Sequence, residues 1–521
     1  MLATIALVSL PFQAAWAEET TTEREEAGES ASQGAHAEVP PPAPEAQGDE
    51  RDVREDALFG ASEEDDTAER ERGLFDAEDT PGLLQEGLDI VTRVNAKDDL
   101  LQLGGQIYMR LDWNILAEGP PESFPLRAPG LLDLYVDVRP TDRLRAFASG
   151  RVSHRFTGAD EGAAAYGGST EATRVALDQL WLKFDIARYV FFTVGQQPIR
   201  WGHGRFWNPT DFLNRQFKDP LAVFDERLGV SLIKVHVPVE SLGWNFYAIA
   251  DIDGADSFEK IGGAVRAEFV VDTTELAVSF AARKDAPYRL GASVSSGFWW
   301  IDAWAEFALL HDVRTPQWEG AYDLATFSAP TQVDVSDSWW PRISAGFEIA
   351  LPLFDEDTLY IGMEYAYNSL GYEDASLYPW LIANQSFVPL YAGKHYGAAY
   401  AALPAPGRWD DVTFILSQLS NLSDGSNILR FDTQLRVLTY LSLNVYASVH
   451  YGALGEFRFG QDIAPDANAS AAWSALDAEA QAAIVEAYGL GTSEAVNELL
   501  ENGIQSPAPV LDIGVGLRLR L

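Results

Sequence analysis

Ten arginines near the two ends of the alternating part of this sequence carry most of its potential for binding chemistry. Each falls on the polar side of a segment in which apolar and polar residues alternate, in a chain of 521 residues with a formal net charge of −41. Arginines that line a water-filled passage attract anionic solutes. The predicted pore-lining residues are Arg110, Arg139, Arg143, Arg145, Arg151, Arg155, Arg430, Arg436, Arg518 and Arg520.

Aspartates are interleaved with these arginines, and they leave a second interpretation open. If all of these side chains share one polar interior, each charge can be neutralised by a neighbour, and the set forms an ion-pair lattice. The sequence does not choose between such a lattice and an arginine ladder that attracts anions. The aspartates are Asp112, Asp133, Asp137, Asp432 and Asp512.

A second candidate site is a dense polar and aromatic stretch between two predicted strands, residues 195–214. Proline fixes φ, and Asn and Asp side chains bond nearby backbone amides, so one interpretation is a rigid loop whose polar groups satisfy one another. The alternative is that residues 198–227 fold into the lumen and narrow it, with Arg200, Asp211 and Arg215 exposed to solutes. The candidate constriction residues are Arg200, Trp201, Asn208, Asp211, Asn214 and Arg215.

This stretch resembles a signature of several families of Gram-negative outer-membrane β-barrels. In them a strand that ends in Gly-(Arg/Gln)-Gln leads into Trp-Gly and then Asn-Pro-x-Asp, as residues 195–211 do here. The segment 101–113 (LQLGGQIYMRLDW) is similar to the opening strand of such proteins. The resemblance implies a porin-like channel or a polysaccharide-export-like component. Two features depart from the pattern: Gln196 stands where Arg is more frequent, and the chain ends in Leu521, where porins usually have an aromatic residue.

The elements that must position these side chains are β-strands with two unlike faces. Residues 511–521 alternate without a break, which is the period-two signature of a strand. About 18 such segments occur from residue 96 onward, and tight turns alternate with long connections between them. No apolar run reaches 18 residues, so helical membrane spans are excluded. Residues 96–521 therefore predict an all-β fold, a transmembrane antiparallel β-barrel of 16–18 strands with long extracellular loops.

The N-terminal region has a different composition. Residues 1–17 combine a short apolar block with a small-residue cleavage site and predict a signal peptide, although a positively charged start is lacking. Residues 18–95 are acidic and rich in Pro, Ala, Ser and Gly, which predicts a disordered periplasmic segment. Two Leu-Phe islands within it are either a chance pattern or a docking motif for a periplasmic partner. They are Leu58, Phe59, Leu74 and Phe75.

Several function classes are disfavoured by the sequence. Ser153 and His154 are the nearest approach to a hydrolytic pair, but alternation places them on opposite faces of a strand. His203 and Asp211 share one loop, and two such residues do not make a metal site. We therefore expect no enzyme activity, no metal and no cofactor. The net charge of −41 disfavours nucleic acid as a partner.

Together these observations predict a porin-like channel in the outer membrane of a Gram-negative bacterium, exported through its signal peptide. It would pass small hydrophilic solutes, anions among them, by diffusion. Its expected partners are outer-membrane lipid and the barrel assembly machinery. The alternative is a non-conducting assembly or export component that binds an envelope polymer, a lipid or a periplasmic partner.

Overall fold

The computed structural model describes residues 100–121, 124–157, 171–320, 322, 330–353, 357–384, 386–463, 467–488, 493–502 and 504–521. The signal peptide, the acidic segment and the Leu-Phe islands lie outside the described residues. No helix among those described is both long and apolar enough to cross a bilayer.

Eighteen long antiparallel strands make up the described wall, which confirms the predicted all-β barrel. Each strand pairs with the next along the chain. A two-residue strand, Leu126–Arg127, adds to the edge of the first. The strands are β1 Leu101–Leu116, β2 Pro129–Thr141, β3 Leu144–Arg155, β4 Thr173–Ile186, β5 Val190–Gln197, β6 Val230–Val239, β7 Trp244–Asp251, β8 Gly262–Val271, β9 Thr274–Ala282, β10 Tyr288–Phe298, β11 Ile301–His311, β12 Trp340–Leu353, β13 Asp357–Asn368, β14 His395–Pro404, β15 Val412–Asn421, β16 Ser426–Leu438, β17 Leu441–Gly452 and β18 Pro509–Arg520.

The last strand closes the barrel against the first. β18 pairs with β17 on one side and with β1 on the other, where Tyr108 lies opposite Arg518. The final residue completes the seam, because the Leu521 backbone N–H donates to the Gly105 carbonyl at 2.8 Å. Closure leaves no unpaired edge, which is what a β-structure needs in hydrocarbon.

Alternation along the strands separates an apolar outer face from a polar inner face. Met109 and Leu517 face outward and are 45% and 43% exposed, whereas Asp137 on the inner face is 2% exposed. Trp299, Trp300 and Tyr440 stand exposed in two of the short turns, where an interfacial aromatic girdle would lie. A closed wall with an apolar exterior and a charged interior is suited to a bilayer.

The connections are short at one end of the barrel and mostly long at the other. Turns such as 142–143, 187–189 and 272–273 share one end with the start of β1 and the end of β18. In its described residues the longest connection, 453–508, contains three helices, and the first two cover the Ala-rich segment 471–488, for which the sequence predicts one or two helices. The helices are α1 Tyr378–Ala383 in connection 369–394, and α2 Ala467–Ser474, α3 Ala478–Tyr488 and α4 Ser493–Asn502.

Candidate functional site

The connection between β5 and β6, residues 198–229, lies inside the barrel and is called the inner loop. At one end of its span the Arg151 guanidinium on β3 donates to the Glu226 carbonyl. At the other, the Thr210 hydroxyl donates to Glu306 on β11 at 2.7 Å. Because β3 and β11 stand on opposite sides of the wall, the inner loop crosses the lumen.

Glu306 fastens the middle of the inner loop through backbone amides. Its side chain is 1% exposed. One carboxylate oxygen accepts the N–H groups of His203 at 2.6 Å and Gly204 at 2.8 Å, and the other accepts the Thr210 hydroxyl. A buried carboxylate is costly unless its oxygens are hydrogen-bonded, and here the loop backbone supplies the donors. The loop conformation and this charge therefore depend on each other.

Glu364 on β13 holds the next three residues of the inner loop in the same way. Its carboxylate accepts the backbone N–H groups of Arg205 at 2.8 Å, Phe206 at 3.2 Å and Trp207 at 2.7 Å. Two strands thus present acidic side chains that bind residues 203–210 without using any loop side chain except Thr210. The loop is fixed against the wall rather than lying loosely in the lumen.

Aromatic side chains anchor the inner loop between these carboxylates and the wall. Trp207 is 1% exposed, its indole N–H donates to the Leu390 carbonyl at 3.0 Å, and its ring lies 5.4 Å from that of Tyr396. Trp201 packs with Phe212, with ring centroids 6.3 Å apart. These rings belong to two clusters of buried apolar residues inside the barrel. The interior is therefore partly packed and not a plain water-filled tube.

The polar residues of the 195–214 stretch bond mainly to one another. Asp211 accepts from the Arg227 guanidinium at 2.9 Å, from the Asn214 amide at 2.7 Å and from the Trp201 backbone N–H at 3.3 Å. The Asn214 amide also donates to the Ile199 carbonyl at 2.6 Å. This network is the rigid, internally satisfied loop of the first interpretation. It occurs together with the inward fold of the second interpretation, so the two are not exclusive.

The exposure expected for the constriction residues holds only in part. Arg200 is exposed, and Arg215 is exposed while it pairs with Asp253 at 2.9 Å. Asp211 is not exposed to solutes as expected, because its side chain is only 8% exposed and is enclosed by its three hydrogen-bond donors. Asn208 is partly buried, and its backbone carbonyl accepts from the Asp211 N–H.

Most of the ten candidate arginines form ion pairs with inward aspartates. The pairs, by closest N–O distance, are Arg110–Asp112 2.7 Å, Arg139–Asp137 2.8 Å, Arg143–Asp185 2.9 Å, Arg145–Asp137 2.9 Å, Arg151–Asp133 2.7 Å, Arg430–Asp432 2.7 Å and Arg436–Asp411 3.1 Å. This arrangement is the ion-pair lattice of the alternative interpretation. Because Arg139 and Arg145 share Asp137, six aspartates pair with the seven arginines, and most of this positive charge is neutralised.

The structure also gives contacts for the remaining three candidate arginines. Arg155 donates to the Glu171 carbonyl at 3.1 Å. Arg518 donates to Gln106 at 2.7 Å and lies 4.5 Å from the ring centroid of Phe224, a residue of the inner loop. Arg520 lies opposite Gln106 in the β1–β18 register. The aspartate at 512 pairs with His450 at 2.8 Å.

A cavity of about 650 Å³ lies between the inner loop and the wall from β7 to β13. Its lining has more basic than acidic side chains. The acidic residues are Asp211, Asp251 and Asp285, and the basic ones are Arg215, Lys218, Arg227, Arg283, Lys284, Arg289 and Arg342. The lining of this cavity therefore carries an excess of positive charge.

A further inward segment packs beside the inner loop. Glu456, in connection 453–508, accepts the Tyr396 hydroxyl at 2.6 Å, the Asn421 amide at 2.9 Å and the Leu390 backbone N–H. Burial raises the pKa of Glu456 to about 8. This carboxyl is therefore largely protonated at neutral pH.

Sequence reasoning missed Glu306, Glu364, Arg289 and Arg342. A signal for the two glutamates existed, since Glu364 is the only charged residue on the inward phase of β13, and Glu306 shares the inward phase of β11 only with Asp302 at the start of that strand. The partners were not readable, because each glutamate binds loop atoms about 100 to 160 residues away along the chain.

Neither feature considered for an enzyme or a metal site assembles as one. His154 Nδ1 lies 2.7 Å from the Thr173 hydroxyl, and His203 Nε2 lies 3.5 Å from Glu275, not beside Asp211. Within the described part of the chain, no group of three or more acidic or histidine side chains is placed to hold a metal ion.

Porins and related outer-membrane proteins are among the solved structures with a similar fold. The OccAB4 protein of Acinetobacter baumannii is 6% identical, with a TM-score of 0.46, over 82% of this chain and 99% of that one. A BenF-like porin of Pseudomonas fluorescens Pf-5 is 10% identical, with a TM-score of 0.45, over 81% and 98%. The outer membrane protein opdK of Pseudomonas aeruginosa is 8% identical, with a TM-score of 0.42, over 81% and 99%.

The sequence matches no protein-family model, and no curated protein is significantly similar to it. The signature at 195–214 accordingly stays a resemblance.

Proposed function

We propose that this protein is an outer-membrane channel that passes small hydrophilic solutes through a lumen narrowed by the inner loop. The observation that carries the proposal is the fixing of residues 203–210 to the inner wall by Glu306 and Glu364. A loop that crosses the lumen and is fixed to the wall restricts the passage, and solutes would pass beside it. Passive diffusion through such a path needs no catalytic group, in keeping with the expectation of no enzyme activity.

Anions are the favoured solutes in this proposal. The seam arginines contribute little, because most of them are paired with aspartates. The support comes from the cavity beside the inner loop, where seven basic and three acidic side chains line the wall. A basic lining raises the local concentration of anions and disfavours cations. The ten candidate arginines remain proposed pore-lining residues, and Arg200, Trp201, Asn208, Asp211, Asn214 and Arg215 remain proposed constriction residues.

Membrane insertion completes the proposal. The exposed apolar belt supports contact with outer-membrane lipid. Export through a signal peptide at residues 1–17, assembly by the barrel assembly machinery, and a partner docked at Leu58, Phe59, Leu74 and Phe75 are predictions from the sequence.

Planar bilayers with the purified full chain test the channel directly. We expect steady single-channel currents in KCl and, under a KCl gradient, a reversal potential that indicates anion preference. Cation preference would contradict the anionic part of the proposal. Absence of conductance would favour the alternative.

The alternative is a non-conducting export or assembly component, and one observation favours it. Inner-loop residues Phe206 and Trp207 pack with Leu390, Tyr396 and Phe457 in one buried apolar cluster inside the barrel. If that packing closes the lumen, the protein binds an envelope polymer, a lipid or a partner without conducting. The bilayer recording separates the two functions.

A further inference from the structure

Two arginines in the cavity beside the inner loop differ from the other cations there. Arg289 on β10 and Arg342 on β12 both line the cavity and are partly buried. Neither has an ion-pair partner among the residues that the structure describes. By contrast, Arg283 pairs with Asp251 and Arg227 with Asp211, both at 2.9 Å.

Register places the two arginines on the same inner face of the wall. In the β10–β11 ladder Arg289 lies opposite Leu310, and in the β11–β12 ladder Arg342 lies opposite Ala308. Leu310 and Ala308 are buried on the inner side, so both arginines point inward across a single intervening strand. Strands two positions apart are separated by about 10 Å, a distance that two arginine side chains leaning toward each other can bridge around one small anion.

The groups that hold these arginines are neutral. Arg289 donates to the Phe212 carbonyl of the inner loop. Arg342 donates through Nε to the Asn368 side-chain oxygen at 3.0 Å, and its guanidinium carbon lies 5.5 Å from the ring centroid of Tyr391. These contacts orient the guanidinium groups without neutralising them. Two like charges kept together in a partly buried place without an ion-pair partner are costly, and a bound anion reduces that cost.

The remainder of the cavity lining indicates the shape of the ligand. Apolar side chains from the inner loop, β11 and two other connections complete the wall. They are Leu213, Leu310, Val313, Leu370 and Val388. A highly hydrated inorganic anion would gain nothing from them, whereas a hydrocarbon body would bury apolar surface against them. The volume of about 650 Å³ is within the range of small-molecule sites.

We propose that Arg289 and Arg342 bind the carboxylate group of a small amphiphilic anion, with its apolar body against the inner-loop side of the cavity. Guanidinium groups match the planar, two-oxygen geometry of a carboxylate. This site rests on the proposed channel function, because it specifies the class of solute whose entry into the channel the cavity would favour.

Equilibrium binding by the full-length protein in detergent tests this site, with hexanoate as the probe. Three further compounds separate the contribution of the charge from that of the hydrocarbon chain. Hexanamide keeps the chain without the charge, acetate keeps the carboxylate with almost no chain, and inorganic phosphate is an oxyanion with no chain. We expect hexanoate to bind at least about tenfold more tightly than each of them. Equal binding of hexanamide would overturn the arginine role, and equal binding of acetate or phosphate would overturn the apolar part.

Variants locate the site. Arg289→Gln and Arg342→Gln are each expected to weaken hexanoate binding about tenfold or more, and Arg289→Lys and Arg342→Lys by less, since the charge remains. The matched control is Arg188→Gln, because Arg188 is an exposed arginine that pairs with Asp142 at 3.1 Å and neither residue lines the cavity. Thermal unfolding of each variant shows whether the barrel and inner loop are intact. Unchanged hexanoate binding in the Arg289→Gln/Arg342→Gln double variant would overturn the proposal.

Failure of this site and failure of the channel are distinguishable. Binding in detergent does not require conduction. If the protein binds hexanoate through Arg289 and Arg342 but does not conduct, the proposed site is supported and the proposed channel function is contradicted. If the protein conducts but does not bind hexanoate, the channel function is supported and the proposed site is contradicted.

Discussion

The hydroxyl of Thr210 donates to the buried carboxylate of Glu306 at 2.7 Å, and this bond joins the inner loop to the barrel wall. The same carboxylate accepts two backbone N–H groups from residues 203 and 204. One side chain on a rigid strand thus orders several residues of a loop that has no regular structure of its own. The conformation of the inner loop is therefore set by the wall as much as by the loop itself.

Removal of that carboxylate should release the inner loop. Glu306→Ala leaves several buried donors without an acceptor, at a cost of about 1–3 kcal/mol for each that stays dry. We expect a lower melting temperature, together with larger and noisier single-channel currents. Glu306→Gln keeps one acceptor oxygen and should be milder, and Glu259→Ala, at an exposed glutamate, is the control. Currents in Glu306→Ala identical to wild type would show that the inner loop does not limit conduction.

A glycine next to this carboxylate gives an independent test of the same contact. Gly202 has φ +100°, and a Cβ there would lie 2.6 Å from Glu306 Oε1. Gly202→Ala should therefore add a steric clash to the backbone strain of about 1 kcal/mol that Ala suffers at positive φ. Gly407→Ala isolates the strain, because Gly407 has φ +64° with nothing within 4 Å of the added carbon. A larger loss of melting temperature in Gly202→Ala is expected, and equal losses would contradict the crowding.

Much of the barrel could be predicted from period-two alternation. Successive side chains of a strand point to opposite faces, so if Leu517 faces lipid then Arg518 faces the interior. A register slip of one residue would move the apolar side chains of a strand to the inner face. The β14 and β15 pair was the hardest to predict, because Ala and Gly weaken the apolar pattern in 395–404.

The interior was less predictable for a physical reason. A sequence pattern shows that Glu306 or Arg289 faces inward, but not which loop atoms it meets. Ion pairing could be foreseen as an alternative for Arg145 because Asp137 lies on the adjacent strand. The Arg289 and Arg342 pair is created by loop packing and by a strand between them, and nothing local in either segment indicates it.

The seam arginines nearest the short turns should affect selectivity only weakly. Arg143 and Arg145 are about half exposed and pair with Asp185 and Asp137, so salt screens much of their field. Arg143→Ser/Arg145→Ser should reduce the anion-to-cation permeability ratio roughly twofold or less, with the largest change at low ionic strength. Reversal potentials measured at two salt concentrations check this, with Arg188→Ser as control, since Arg188 is exposed and pairs with Asp142. A complete reversal to cation selectivity would show that these two residues, not the cavity, set the preference.

Glu456 should make the packing of connection 453–508 sensitive to mildly alkaline pH. The pKa of its carboxyl is raised by burial from an ordinary 4.5 to about 8, so the folded state holds a proton that the unfolded state releases. The resulting stabilisation is complete below about pH 4.5 and is lost as the pH rises through about 8. The melting temperature of wild type should therefore fall between pH 6 and pH 9 by more than that of Glu456→Gln, which stays neutral.

The Tyr396 hydroxyl, the Asn421 amide and the Leu390 backbone N–H all donate to the Glu456 carboxyl. Ionisation of this carboxyl is therefore expected to loosen the packing of connection 453–508 against the inner loop. Parallel pH profiles of wild type and Glu456→Gln would show that this group does not titrate in that range.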